Sequence, residues 1–258
     1  MKTQNKIHYG ALDGLRAYSA IGVAMMHILS NGKYKVSGFV FDPFIQSLGN
    51  LVFLFMMISA FSMCCGYYDR LINQEISVEK FYARRYKKIW PFFAILCFVD
   101  IIISPSINAV YELFANLTLC FGLLPNANIS VIGIGWFLGL IFVFYMIFPF
   151  FCYLISNRNR AWGTFIISMI FNVICRIYFF DNNHVISGFD VRGNIIYSAM
   201  FFMLGGILFL YKNSIYEFCQ KKKILIALLT VIIAGIYFYQ GKSCLLYTSP
   251  SPRDYAAS

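Results

Sequence analysis

The sequence predicts an all-α, polytopic transmembrane bundle, and three observations carry that expectation. Of 258 residues, 60% are hydrophobic and only 12% are charged, whereas soluble domains carry about a quarter charged residues. Mean hydropathy is +0.68. Apolar runs recur along the whole chain at lengths close to the ~20 residues a helix needs to cross the hydrocarbon core. Phe (28) and Tyr (18) are abundant, as lipid-facing and interfacial positions favour.

Taken in order, the predicted spans are residues 11–30, 47–66, 89–105, 132–155, 161–180, 194–212 and 223–240. The first is apolar but carries Asp13, Arg16 and His27. These charges interrupt the run too early for a cleaved leader, so it is read as a retained span. The third follows a basic stretch and has Pro91 near its start, where proline is tolerated. The sixth contains Gly205-Gly206, which allow close helix packing. An eighth segment, 109–124, is short and holds Glu112, Asn116 and Thr118. It either spans or is re-entrant and covered by protein. Seven to eight spans are therefore expected.

The formal net charge is +10. In a membrane protein such an excess belongs to cytoplasmic loops, and no soluble basic domain is present to bind nucleic acid. Basic residues cluster at Lys2 and Lys6, in a 67–88 loop (Arg70, Lys80, Arg84, Arg85, Lys87, Lys88), in 156–161 (Arg158, Arg160) and in 211–223 (Lys212, Lys221–Lys223). If 109–124 does not cross, all four regions fall on one side, which places the N-terminus in the cytoplasm. Eight cysteines include no CxxC and no Cys/His cluster with metal-ligand spacing, so neither a metal nor a disulfide framework is expected. His8 and His184 read as ordinary loop residues. The last fifteen residues, "CLLYTSPSPRDYAAS", break character. Residues 244–254 resemble the translation of a sequencing-library adapter. This divides the chain into a membrane domain, 1–243, and a non-native tail, 244–258.

"LDGLRAYSAIGVAMMHI", residues 12–28, places ionisable groups where lipid penalises them. Arg16 and His27 are eleven residues apart. That is close to three whole turns, so both lie on nearly one face, about 16 Å apart along the axis. Asp13, three residues before Arg16, is placed to pair with it. Two readings stand open: anchoring by a snorkelling Arg and an interhelical His bond, or a functional pair.

"FYARRYKKIWPFF", residues 81–93, supplies a second basic site. It reads either as positive-inside anchoring or as a phosphate site, with Arg85 and Lys88 facing one way at i,i+3 and Arg84 beside them. Combined with the first span, the chemistry becomes specific. Arg16, Arg85 and Lys88 grip a phosphate-rich cofactor, and about 16 Å of helix matches the reach of a pantetheine arm toward His27. A neutral imidazole in a low-dielectric site then serves as general base for an acceptor hydroxyl. Arg176 inside the 161–180 run is a further candidate. The alternative for it is a buried pair with Asp100 or a carbonyl. Trp136 and Tyr145 are candidates to line a sugar site, against simple aromatic packing.

These stretches resemble the membrane acyltransferase family 3, integral-membrane O-acyltransferases that decorate surface glycans. The resemblance covers nearly all of residues 7–240. "LDGLRAYSAIGVAMMH" is similar to the first-helix motif, with Arg16 and His27 at its Arg/Lys-to-His spacing. "FMMISAFSM" (55–63) is similar to the second-helix pattern, with Ala60 in place of the usual Gly. "FYARRYKKIWPFF" is similar to the family's basic motif, with Lys88 in place of its second Arg. "WFLGLIFVFYMIFP" (136–149) is similar to a Trp–Tyr–Pro helix of one branch; the glutamate of another branch is absent, and Ile141 occupies that region.

The resemblance implies a fold of about ten spans in a complete member. It implies an acetyl-CoA or other acyl-CoA donor, no permanently bound cofactor, and a glycan hydroxyl as acceptor. It also implies a multi-pass home in the cell membrane, with the lipid bilayer as partner. His27 and Arg16 become the catalytic candidates, and Arg85, Lys88, Arg84 and Arg16 the donor-binding ones. Asp13, Trp136, Tyr145 and Arg176 are the acceptor-side candidates. The rival class is a transporter or glycan flippase without covalent chemistry. It accounts for the spans but gives no reason for the Arg16–His27 spacing.

Overall fold

The computed structural model describes residues 10–33, 36–124, 131–132, 135–181, 183–185 and 191–239. Among them every regular element is helical: α1 (Gly10–Asn31), α2 (Leu51–Ile72), α3 (Val78–Ile103), α4 (Ile107–Thr118), α5 (Trp136–Met146), α6 (Phe148–Ile155), α7 (Arg158–Ile174), α8 (Ile195–Leu210), α9 (Lys212–Lys221) and α10 (Lys223–Tyr239). The expected all-α class is what the chain adopts. The adapter-like tail lies outside the described residues.

Helix starts follow local side-chain chemistry. The N-cap Ser77 accepts the Lys80 N–H, Ser106 that of Ala109, Asn157 those of Asn159 and Arg160, and Asn194 those of Ile196 and Tyr197. Each cap satisfies amides that have no partner within the helix. Ser77 also corrects the sequence reading of 67–88 as a loop. α2 continues to Ile72 and α3 starts at Val78, so Arg84, Arg85, Lys87 and Lys88 stand on helix. Likewise α7 begins at Arg158, and much of the expected 211–223 loop is α9.

Among the described residues two helical stretches are long and apolar enough to cross a membrane, Leu48–Ile72 and Arg158–Phe179, with up to four spans if each of two bent helix pairs counts as one. Only 11% of the apolar window of the second is buried, against 44% for the first, so α7 offers its Ile and Phe side chains outward as a lipid-facing helix does. By length and composition this is fewer than the seven to eight spans expected, for identifiable reasons. α1 carries its own charges. α3 is basic over its first turns, leaving only residues 89–103 apolar. The expected 132–155 span is broken: α5 and α6 meet at a bend of 60°. Pro149, in the first turn of α6, has no N–H to continue the ladder from α5, and at the bend the Met146 carbonyl accepts the Tyr82 hydroxyl. α4 has 12 residues, about 18 Å, which cannot cross by itself. The partial reading of 109–124 therefore fits.

The chain divides into two compact units, residues 1–58 with 212–258, and 59–211. In the first, α1 packs its Ser19–Gly22–Met26 stripe on the turn 48–51. A Cβ on Gly22 would stand 2.6 Å from Leu51 Cδ1, and one on Gly49 3.3 Å from Met26 Cε. In the second, Phe93, Cys97, Ala109, Leu119, Phe121, Val131 and Phe142 form a buried cluster. Lipid is as apolar as these side chains, so close fit rather than exclusion from water drives the packing. Gly122 meets Gly139 backbone to backbone, Phe144 stacks on Phe202 at 4.6 Å, and buried Asn172 donates to the Tyr197 carbonyl at 2.7 Å between α7 and α8.

Candidate functional site

α1 holds the first group. Arg16 Nη1 donates to Asp13 Oδ1 at 2.8 Å, the pairing the i,i+3 spacing predicts. Their side chains are 40% and 53% exposed, so the pair orients the guanidinium more than it stabilises the helix. By helical projection Arg16 and His27 differ by about 20° around the axis. Both are half-buried and border the packed Ser19–Gly22–Met26 stripe.

α3 holds the second group and divides it. Lys80, Arg84, Lys87 and Lys88 are exposed, sharing one face at i, i+4, i+7 and i+8. Arg85 is different. It is half-buried, and its Nη2 donates to the Tyr67 hydroxyl at 2.6 Å. Its Nη1 faces Met63 Sδ at 3.3 Å. The guanidinium carbon stands 4.6 Å from the Tyr67 ring centroid and 5.9 Å from that of Tyr145, within cation–π range. Tyr145 Oη is in turn 2.8 Å from Ser59 Oγ. The buried Nε has no hydrogen-bond partner, and among the described residues no carboxylate pairs with Arg85. Arg85 and Lys88 thus occupy unlike environments, although the sequence reading set them facing one way. The reason is that Tyr67 and Tyr145, contributed by α2 and α5, draw in only one of the four cations between 84 and 88.

Trp136 and Tyr145 meet different arginines. They are nine residues apart on α5, about 13 Å along the axis. Tyr145 stands with Arg85, whereas the Arg192 guanidinium carbon lies 5.4 Å from the Trp136 ring centroid. Arg176 sits in the π-helical turn Cys175–Phe179, and both it and Arg192 act electrostatically on Tyr197. The Asp100 carboxylate accepts the Ile132 N–H at 3.2 Å.

Several of these groups escape sequence reasoning. Tyr67 and Met63 are brought to Arg85 only by packing, and no spacing rule connects them to it. Arg192, in the short 3-10 turn Val191–Gly193, meets Trp136 from far along the chain. His184 was expected to be an ordinary loop residue. Its Nδ1 lies 2.6 Å from Asp181 Oδ1, and its ring sits 4.9 Å from that of Tyr178; here the i,i+3 spacing of Asp181 was a usable signal. His8 lies outside the described residues. Of the described cysteines, Cys64, Cys97, Cys152 and Cys175 are buried and pack as small hydrophobes.

The family model described as an acyltransferase domain matches residues 9–247. No curated protein and no solved structure matches the chain. The match covers α1 through α10, nearly the whole chain, and so includes both the α1 pair and the Arg85 cluster. The chain belongs to the membrane acyltransferase family 3.

Proposed function

We propose that this membrane acyltransferase moves an acyl group, acetyl in the first instance, from acyl-CoA to a hydroxyl of a cell-surface or lipid-linked glycan. His27 acts as general base. The Arg16–His27 register on α1, inside a chain that matches the acyltransferase domain over residues 9–247, is the observation that carries this reading.

In the proposed reaction Arg85, Lys88 and Arg84 hold the phosphates of the donor by charge-assisted bonds. Arg16, oriented by Asp13, positions the donor further. His27 takes the proton of the acceptor hydroxyl, whose oxygen attacks the thioester carbonyl carbon. A C–O bond forms, the C–S bond breaks, and the proton passes from His27 to the leaving thiolate as free CoA. Trp136 and Arg176 serve the acceptor side. The chain works as a multi-pass protein of the cell membrane with its N-terminus in the cytoplasm. The exposed basic stripe on α3 supports that orientation.

Glycan mass spectrometry of cells expressing the wild type and His27→Ala tests the reading. The acetyl mass increment is expected with the wild type and lost with the variant. Labelled acetyl-CoA that emerges intact from incubation with the wild type would instead identify a permease.

A further inference from the structure

Arg85 is a permanently charged side chain, half-buried, with an orphaned Nε, and its Nη1 meets only a thioether. Sulfur is a weak acceptor, and a charged donor left without a strong one in a low-dielectric setting is costly. Yet the side chain is not loose. Tyr67 binds Nη2 at 2.6 Å and lies under the guanidinium, Tyr145 borders it, and Ser59 ties the Tyr145 hydroxyl at 2.8 Å. A cation held so firmly, without a carboxylate among the described residues, is preorganised for an anion supplied from outside the chain.

We propose that Tyr67, Tyr145 and Ser59 form a positioning frame that aims Arg85 at one phosphoryl group of the acyl donor. Met63 Sδ is a placeholder acceptor that a phosphoryl oxygen replaces. The inference rests on the acyl-CoA reading above and assigns it a division of labour. The framed Arg85 sets donor geometry, whereas the exposed Lys80, Arg84, Lys87 and Lys88 attract the polyanion from solution in a salt-dependent way. Tyr67 and Tyr145 are positioning residues, acting through Arg85 rather than on the reacting atoms.

The experiment compares acetyl-CoA with acetyl-pantetheine, which carries the same thioester and no phosphate. It uses the chain reconstituted in zwitterionic nanodiscs. The readout is the ratio of kcat/KM for the two donors. Arg85→Gln is expected to lower that ratio about tenfold or more, and Tyr67→Phe and Tyr145→Phe by about three- to tenfold, where tenfold corresponds to about 1.4 kcal/mol. Binding of adenosine 3′,5′-bisphosphate gives a second measurement that needs no turnover, and its Kd is expected to rise in the same order. Gly163→Ala, on α7 where nothing lies within 4 Å of the added Cβ, is expected to leave the ratio alone. If the tyrosine variants slow both donors equally and leave the bisphosphate Kd unchanged, the frame is merely structural and the proposal is overturned. It is also overturned if the ratio holds and the variants change only the response to added phosphatidylglycerol, since the phosphate then belongs to a lipid headgroup. A wild-type chain that transfers acetyl from neither donor sinks the acyl-CoA reading itself, before any variant is made.

Discussion

The Asp100 carboxylate accepts the backbone N–H of Ile132 at 3.2 Å. One residue earlier, Glu112 accepts the N–H of Val131 at 3.0 Å. Carboxylates from α3 and α4 thereby hold two successive amides of the segment that leads into α5. Ile132 has φ of 49°, a left-handed conformation that β-branched residues adopt only when their surroundings impose it. Asp100→Ala is expected to cost about 1.5–3 kcal/mol, the range for hydrogen bonds to a charged group. Asp100→Asn keeps an acceptor and is expected to cost less. Thermal unfolding in detergent, run on both variants, checks the order.

Glycine substitutions separate contact from open space. A Cβ on Gly122 would stand 2.6 Å from the Gly139 carbonyl carbon, which is backbone and cannot swing aside. Gly122→Ala is expected to destabilise by about 1–3 kcal/mol, as overpacking does. Nothing lies within 4 Å of a Cβ on Gly163. Gly163→Ala, inside α7, is expected to stabilise by up to about 1 kcal/mol. Melting temperatures moving in opposite directions are the outcome sought.

Asn172 is buried and donates to the Tyr197 carbonyl across the α7–α8 contact. Asn172→Ala is expected to cost about 0.6 kcal/mol, and at most about 1.7, the range for interhelical bonds in lipid. Steric-trap unfolding would resolve it, and a cost above that range would mean that Asn172 does more than join the two helices.

Asp181 carries a pH dependence whose sign is determined. The side-chain hydrogen bond with His184, and then the N–H groups of Asn183 and His184, hold its carboxyl below the usual carboxylate range. A depressed folded value means the turn is supported at all pH above the ordinary carboxylate pKa. That support is lost as pH falls through the depressed value. Amide exchange at Asn183 and His184 is expected to stay slow at neutral pH and to accelerate only below about pH 4. His184→Ala is expected to move that onset upward.

Arg16→Ala separates stability from activity on α1. The Asp13–Arg16 pair is exposed, and exposed pairs contribute about 0–1 kcal/mol. Unfolding of the variant is expected to be nearly that of the wild type, whereas transfer to the glycan is expected to fall about tenfold or more. A matching loss of both would return Arg16 to a purely structural role.

The amino-acid sequence alone determined the helical class and the Asp13–Arg16 pair. It also set the three-turn register of Arg16 and His27. These depend on composition and on the 3.6-residue period, which act within a single helix. The short α4 was legible for the same reason, since length and polar content decide whether a segment can cross. The break between α5 and α6 was marked by Pro149, but that the Met146 carbonyl at the bend meets the Tyr82 hydroxyl, 64 residues away, was decided by packing. Only the tertiary structure decided that Arg85 alone of its basic run turns inward. Its neighbours Met63, Tyr67 and Tyr145 come from two other helices. Local periodicity says which residues share a face, whereas what that face meets is chosen by the close fit of distant side chains.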